Sequence, residues 1–82
     1  MSYFVYILEC SDNSLYTGIT TNIEKRLNEH NTSPKGAKYT KARRPVKLVY
    51  QEASQDRSTA SKREYAIKKL TKTKKLELIA KK

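Results

Sequence analysis

Tyr3-Phe4-Val5-Tyr6-Ile7-Leu8 and Leu15-Tyr16-Thr17-Gly18-Ile19 are the two stretches that decide the fold of this chain. Both are rich in β-branched and aromatic residues, which favour strands. Only Glu9 is charged between residues 3 and 10, which is typical of a strand covered on both faces. The segment between the strands, Ser11-Asp12-Asn13-Ser14, is typical of a turn. The two strands are therefore predicted to form a hairpin.

The hairpin predicts which side chains lie on the same face, because successive residues of a strand point to opposite faces. Tyr6 should share a face with Phe4 and Leu8, and Tyr16 should share one with Gly18. A glycine at that position leaves open space beside Tyr16 or lets another backbone segment approach closely.

A helix is predicted directly after the hairpin. Thr21-Asn22-Ile23-Glu24 matches a capping box, in which the threonine side chain bonds the amide three residues on and the glutamate reaches back. We expect the helix to run from about Asn22 to His30 or Asn31. Its core stripe would be formed by Ile23 and Leu27.

The second half of the chain predicts a third strand and two more helices. Val46 to Glu52 alternates apolar and polar residues as a half-buried strand does, although Val49 breaks the alternation. A second helix should run from Asp56 to about Leu70, and a closing helix from Thr73 to Ala80. The predicted order is β-β-α-β-α-α. The inward-facing residues would be Ala60, Ile67 and Leu70 in the second helix and Leu76 and Ile79 in the closing one.

Composition indicates one small basic domain. The 82 residues contain 18 Lys and Arg against eight Asp and Glu, which gives a net charge of +10. We expect residues 1–82 to form a single domain with a small core. Such a charge excess attracts polyanions, nucleic acid first and an anionic membrane surface second. A solvated basic surface without a partner is the alternative.

The sequence contains no signal for a membrane or for secretion. No apolar run approaches the roughly 18 to 20 residues that a membrane span needs, and the N-terminus does not resemble a signal peptide. The single cysteine, Cys10, favours a reducing, cytoplasmic setting and is interpreted as a small buried residue. We therefore expect a cytoplasmic protein with no membrane partner.

Residues 31 to 45 predict a long basic loop, because they combine Pro34, Gly36 and Pro45 with many cations. Long loops in compact domains are often functional. Its cations are the candidate nucleic-acid contacts: Lys35, Lys38, Lys41, Arg43 and Arg44.

Arg26 and His30 lie one helical turn apart beside the apolar stripe, near the edge of the core. An arginine fork binds phosphate bidentately, and a histidine can donate to phosphate or accept a proton near neutral pH. The alternatives are a surface arginine and a histidine at the C-terminus of a helix, where the dipole favours it.

Glu64 is predicted to point inward or to the rim of the core, at 40° from Ala60 and 60° from Ile67. A buried, unpaired carboxylate is unfavourable by several kcal/mol. Either an ion pair, for example with Arg26, or a divalent cation such as Mg²⁺ would compensate. The residues alone slightly favour the ion pair.

These residues together resemble the GIY-YIG nuclease family. Val5-Tyr6-Ile7 stands for the first motif and Tyr16-Thr17-Gly18 for the second. The further matching positions are Arg26, His30 and Glu64, so the resemblance covers nearly the whole chain, and it is strongest to the small single-domain bacterial members.

The resemblance implies an α+β fold with a three-stranded antiparallel sheet flanked by helices, and metal-dependent cleavage of DNA. Tyr16 would be the general base, and Tyr6 would position the water or the phosphate. Arg26, assisted by His30, would stabilise the negative charge that develops on the phosphate. Glu64 would be the only protein ligand of Mg²⁺ or Mn²⁺. A protein partner could supply specificity.

Two positions depart from the family pattern. Many members have a lysine after the glycine of the second motif, where this chain has Ile19, and some have an asparagine near Leu76. These departures leave open a second hypothesis, a basic nucleic-acid-binding module of the same fold without catalysis. A third hypothesis is a protein-interaction adaptor whose charge is incidental.

Overall fold

A three-stranded antiparallel sheet organises the chain in a computed structural model that describes residues 2–81. The strands are β1 (Tyr3–Glu9), β2 (Leu15–Thr20) and β3 (Lys47–Ser54). The strand order is β2-β1-β3, so β1 is central and both of its neighbours are antiparallel to it. The predicted hairpin and the predicted antiparallel sheet are confirmed.

Four helices accompany the sheet: α1 (Ile23–Thr32), α2 (Lys38–Lys41), α3 (Arg57–Lys68) and α4 (Lys72–Ala80). The α+β class and the order of the three strands and three longer helices agree with the prediction. The four-residue α2 was not predicted, because it lies inside the segment interpreted as a loop. No helix within residues 2–81 is both long and apolar enough to cross a membrane.

The central strand β1 is buried on both faces, as its composition predicts. Val5 and Ile7 pack with Ala60 and Ile67 of α3 on one face. The other face forms a second apolar cluster with α1 and the start of β3: Tyr6, Leu8, Cys10 and Val46, with Tyr16, Ile23, Leu27 and Leu48 packed against them. We call this second surface the tyrosine face.

A β-bulge explains why Val49 breaks the alternation of the third strand. Ile7 of β1 pairs with Tyr50 of β3, whereas the next residue, Leu8, pairs with Leu48. Val49 is therefore the extra residue on β3. Leu48 joins the tyrosine face, whereas Val49 and Tyr50 pack on the α3 side of the sheet.

The predicted capping box at Thr21 is wrong. The N-cap of α1 is Asn22, whose side-chain oxygen accepts a 3.1 Å hydrogen bond from the amide of Lys25. The hydroxyl of Thr20 accepts in turn from the amide of Asn22 at 3.1 Å. Asparagine is as good a cap as threonine, so the same tetrapeptide begins the helix one residue later.

Two predicted core residues are exposed. Leu70 and Leu76 are 36% and 45% exposed, respectively. Leu70 lies beyond the end of α3, where the helical period that placed it inward no longer applies. The helix α4 packs through Leu78 and Ile79 instead, so one of its two predicted contacts, Ile79, is confirmed.

Gly18 is required by the Tyr6 side chain directly opposite it. The two residues are cross-strand partners in the hairpin. A Cβ at position 18 would lie 2.5 Å from the Tyr6 hydroxyl oxygen and 2.7 Å from Cζ. The phenol therefore occupies the space that a side chain at position 18 would need. The open space predicted beside Tyr16 is filled by Tyr6 rather than by solvent.

We predict that Gly18→Ala destabilises the protein by about 1–3 kcal/mol, because the added methyl group overpacks a buried site. Tyr6→Phe removes the closest of the clashing atoms, so the double variant should be less destabilised than the sum of the two single variants. Urea denaturation of all four proteins measures this coupling. Tyr50→Phe, on the other face of the sheet, is the matched control and should add to Gly18→Ala. Additivity in both pairs would contradict the close packing.

Candidate active site

A buried hydrogen-bonded chain links the first tyrosine motif to α1 and α2. The Tyr6 hydroxyl lies 2.8 Å from Nε2 of His30, and Nδ1 of the same ring lies 2.8 Å from the Thr40 hydroxyl. The Thr40 hydroxyl donates to the carbonyl of Ala37 at 2.9 Å. Tyr6 is 3% exposed, and His30 and Thr40 are fully buried. The residues linked by these hydrogen bonds come from β1, α1 and the α2 segment.

Burial keeps both Tyr6 and His30 in their neutral forms. Desolvation raises the pKa of Tyr6 from 10.0 to about 12, and the nearby guanidinium of Arg26 opposes that shift. Desolvation also lowers the pKa of His30 from 6.5 to about 4, helped by the charges of Arg26 and Arg44. The histidine was expected near the edge of the core; it is inside, and no face of its ring is open to a substrate. It also does not act as a helix cap, because both ring nitrogens contact side chains.

Tyr16 lies beside this chain in a ladder of aromatic and cationic side chains. Its ring contacts His30 edge-on, with centroids 5.1 Å apart, and stacks with Tyr39 at 6.0 Å. The guanidinium of Arg43 covers the Tyr39 ring at 3.9 Å and pairs with Asp12 of the hairpin turn at 3.0 Å. Tyr16 is thus held by contacts from three parts of the chain, yet it stays partly exposed.

Arg26 lies at the margin of the same cluster. It forms a 3.0 Å ion pair with Glu29 one turn later, and it donates to the carbonyl of Lys35 at 3.0 Å. Both bonds use Nη1. Its side chain is 27% exposed, and its charge lowers the pKa of both Tyr6 and His30. The guanidinium is therefore close to both buried rings and still open to solvent.

Glu64 lies on α3, and α3 packs on the face of the sheet opposite the tyrosine face. Its side chain is 23% exposed, as expected for the rim of the core. Its ion-pair partner is Lys68, at 3.4 Å in the next turn of the helix, and not Arg26. The charge of Glu64 raises the pKa of Tyr6 and is thus felt at that phenol.

A single carboxylate fits a hard divalent ion that keeps water ligands and completes its shell with substrate phosphate. It does not fit a cation held by protein alone, since no group of three or more His, Cys, Asp or Glu ligands occurs within residues 2–81. The ion pair with Lys68 is partly exposed and therefore weak. Such a pair does not prevent the carboxylate from binding a cation.

The cations of the predicted basic loop divide into two kinds. Arg44 donates to three carbonyls at the end of α1, those of Glu29, His30 and Ser33, at 3.3, 2.6 and 2.7 Å. It therefore has a structural role at the C-terminus of a helix, where cations are favoured. Arg43 is engaged by Asp12 and by Tyr39. The exposed cations of this segment are Lys35, Lys38 and Lys41.

Known proteins resemble this chain over nearly its whole length. The family model described as the GIY-YIG catalytic domain matches residues 2–77. The chain belongs to the GIY-YIG family. It is similar to a UPF0213 protein of Desulfotalea psychrophila, with 63% identity over 95% of this chain and 71% of that protein. A UPF0213 protein of Staphylococcus haemolyticus is 57% identical over 94% of this chain and 93% of the relative.

Solved structures of two similar chains have the same fold. The solution NMR structure of a UPF0213 protein from Bacillus halodurans aligns with a TM-score of 0.64 and 45% identity over 100% of this chain and 86% of that one. A solution NMR structure from E. faecalis aligns with a TM-score of 0.63 and 48% identity over 95% of this chain and 83% of the other.

Sequence reasoning missed two residues of the cluster, Thr40 and Tyr39. Both belong to α2, which the Pro, Gly and Lys content of the segment concealed. Gly36 brings this segment close to α1, since a Cβ there would lie 2.6 Å from the carbonyl oxygen of Glu29 and 2.9 Å from Cα of His30. In the sequence, the glycine at position 36 is the signal that could have indicated a close backbone approach.

We predict that the free energy of unfolding decreases as the pH falls from about 6.5 to about 4, because of His30. Its folded pKa is about 4 and its ordinary value is 6.5. In this window the unfolded chain binds a proton that the folded state does not, so the free energy of unfolding rises with pH. The full effect is up to about 3 kcal/mol, from the size of the pKa shift. Chemical denaturation at pH 5 and pH 7 measures it.

His30→Gln is the control for this pH dependence, because His30 is the single histidine of the chain. The pKa values of Asp12, Glu29 and Asp56 lie below their ordinary values of 3.8 to 4.5, so these carboxylates titrate below the window between pH 5 and 7. An equally steep pH dependence in the glutamine variant would show that His30 is not the group responsible.

Proposed function

We propose that this GIY-YIG chain is a divalent-metal-dependent endonuclease that hydrolyses phosphodiester bonds of DNA. The observation that carries the proposal is the meeting of Tyr6, Tyr16, Arg26 and His30 in one cluster, with the Glu64 charge reaching Tyr6. Tyr6 comes from β1, Tyr16 from β2, and both Arg26 and His30 from α1, whereas Glu64 comes from a fourth element, α3. The net charge of +10 suits a polyanionic substrate.

Tyr16 is the phenol that we assign as general base. It is partly exposed, whereas Tyr6 is 3% exposed and has a pKa of about 12. In the proposed step, the water oxygen forms a bond to phosphorus while one water proton passes to the Tyr16 oxygen, which gives its own proton to bulk solvent. The bond from phosphorus to the leaving oxygen breaks, and the leaving oxygen takes a proton from solvent. Tyr6, which hydrogen-bonds to His30, orients that water. His30 is buried and acts through Tyr6 rather than at the phosphate.

Arg26 is assigned to the phosphate. The two bonds described for it both use Nη1, and the opposite edge of the guanidinium is the edge that we propose contacts the substrate. A fixed positive charge placed before the reaction stabilises the charge that develops in the transition state. The Glu29 carboxylate and the Lys35 carbonyl keep the guanidinium in position for this contact.

Glu64 is the residue that would hold Mg²⁺ or Mn²⁺. A divalent ion bound there supplies positive charge that stabilises the leaving oxygen. The carboxylate is paired with Lys68 in the structure, and a bound metal ion would displace the Lys68 ammonium group toward solvent. The same carboxylate raises the pKa of Tyr6, so neutralising it removes an electrostatic obstacle to an anionic group in the cluster.

A second candidate function is a nucleic-acid-binding module without catalysis. Ile19 favours it, because β2 has an apolar residue at the position where many family members have a lysine. Ile19 packs against the apolar cluster on the α3 side of the sheet. Salt-dependent binding without cleavage in any divalent metal would support this alternative.

The proposal predicts that Tyr16→Phe lowers the rate of DNA nicking by at least about a hundredfold, the usual contribution of a positioned acid or base. Glu64→Gln should lower the rate at least as much, because it removes the carboxylate that would hold the metal ion. The assay follows relaxation of supercoiled plasmid and cutting of branched DNA in Mg²⁺ and Mn²⁺. Glu77→Gln is the matched control, since Glu77 is also paired with a lysine of its own helix, at 3.8 Å. Nicking that persists in both site variants would refute the assigned mechanism.

We further predict that replacing Lys38 and Lys41 together by Ala weakens DNA binding and reduces the slope of log K against log salt by about 2, since each phosphate contact contributes roughly 0.9. Fluorescence anisotropy at several salt concentrations measures the slope. The control is the double replacement of Lys72 and Lys74 in α4, which removes the same charge. Equal slopes in the two double variants would indicate that total charge alone, and not the α2 segment, governs binding.

A further inference from the structure

The proton of each buried hydrogen bond can be assigned in turn, starting from the Ala37 carbonyl and ending at Tyr6. A threonine hydroxyl has one proton, and a carbonyl only accepts. The Thr40 hydroxyl gives its proton to the Ala37 carbonyl three residues earlier, at 2.9 Å. The same carbonyl accepts from the backbone amides of Thr40 and Lys41 at 3.1 Å each. Threonine hydroxyls in helices commonly share a carbonyl with the backbone amides in this way.

The tautomer of His30 follows from the direction of that bond. A Thr40 proton directed at Ala37 leaves the Thr40 oxygen as the acceptor for Nδ1 of His30, 2.8 Å away. Burial holds the ring neutral, with a pKa of about 4. A neutral imidazole with its proton on Nδ1 has a bare Nε2. In this arrangement the Tyr6 hydroxyl, 2.8 Å from Nε2, is the donor to His30.

We propose that Thr40 is a positioning residue that sets the hydrogen-bonding polarity of Tyr6. By holding His30 as the Nδ1-protonated tautomer, Thr40 directs the Tyr6 proton inward and leaves the lone pairs of the phenol oxygen for the outer side. Tyr6 then accepts hydrogen bonds there, from Arg26 or from a water molecule, and does not donate to a phosphate oxygen. The consequence for cleavage rests on the proposed function, whereas the tautomer and the polarity do not.

This polarity suits the role given to Tyr6. A water that attacks phosphorus has two protons to place, one of which goes to the general base. An acceptor at Tyr6 binds the other proton and turns an oxygen lone pair of the water toward phosphorus. A donor at the same place would compete for that lone pair. Gly18, where no side chain fits, leaves the room that this phenol oxygen occupies.

The test is the tautomer of His30, read by NMR. Because the chain has one histidine, a long-range ¹H–¹⁵N spectrum contains a single imidazole, and its ¹⁵N and ¹³Cδ2 shifts distinguish the tautomers. We expect protonated Nδ1 and bare Nε2 in the wild-type protein at pH 7. In Thr40→Val the acceptor for Nδ1 is lost, and we expect the ring to change to the Nε2-protonated form. Thr40→Ser restores the hydroxyl and the wild-type tautomer.

Nicking by the same proteins tests the catalytic consequence. We expect Thr40→Val to be slowed roughly tenfold to a hundredfold, by analogy with the loss seen when the hydrogen-bond partner of a metal-ligating histidine is removed. We expect substantial recovery in Thr40→Ser. Thr32→Val is the matched control, because the Thr32 hydroxyl also bonds a helix carbonyl, that of Asn28 at 2.8 Å, and lies on the exposed side of α1.

The outcomes separate the two proposals. A wild-type ring protonated on Nε2 overturns the inference, whether or not the protein cleaves DNA. If the NMR spectra show the predicted tautomers but none of the proteins nicks DNA, wild type included, the inference is supported and the proposed endonuclease function is contradicted. If Thr40→Val does not fold, Tyr6→Phe replaces it, and the inference then requires that the Nδ1-protonated form persists without the phenol. A change of tautomer in Tyr6→Phe would show that Tyr6, and not Thr40, determines which nitrogen of His30 is protonated.

Discussion

A buried phenol needs both a hydrogen-bond partner and room for its hydroxyl, and the architecture around Tyr6 provides the two from opposite sides. His30 of α1 supplies the partner at 2.8 Å, and Gly18 of β2 supplies the room. An unpaired buried hydroxyl is unfavourable by about 1–3 kcal/mol, so α1 must lie where its last turn reaches β1. The position of α1 on the tyrosine face follows from this one contact and the apolar packing around it.

The same constraint extends to the α2 segment. His30 has a second ring nitrogen, which also has to be satisfied inside the protein, and Thr40 satisfies it. Gly36 allows the segment to pass against the backbone of α1, and Arg44 then bonds the carbonyls at the end of that helix. The stretch that contains many lysines is therefore tied to the core by its buried residues. Its exposed lysines therefore lie on a structured segment rather than on a free loop.

The positive charges of this protein have two different roles: arginines near the site form defined pairs, whereas the lysines of the α2 segment are exposed. The arginines near the site have defined partners: Arg26 pairs with Glu29, and Arg43 with Asp12, both at 3.0 Å. Sequence density alone grouped Arg43 and Arg44 with the lysines, because it records where cations occur along the chain and not what their side chains reach. The helical period correctly predicted the rim position of Glu64. The partner suggested for it, Arg26, was wrong, because Lys68 lies four residues later in the same helix, at a spacing that favours an ion pair.

The local pattern of residues was enough to predict the hairpin, the burial of both faces of β1, and the order of the strands and longer helices along the chain. These features depend on side-chain period and turn chemistry, which act over a few residues. The roles of the five candidate site residues remain predictions. The burial of His30, the short helix that carries Tyr39 and Thr40, the capping role of Arg44 and the pairing of Arg43 with Asp12 were decided by the tertiary structure. They depend on contacts 10 to 31 residues apart in the chain. Periodicity within a single element contains no information about such distances.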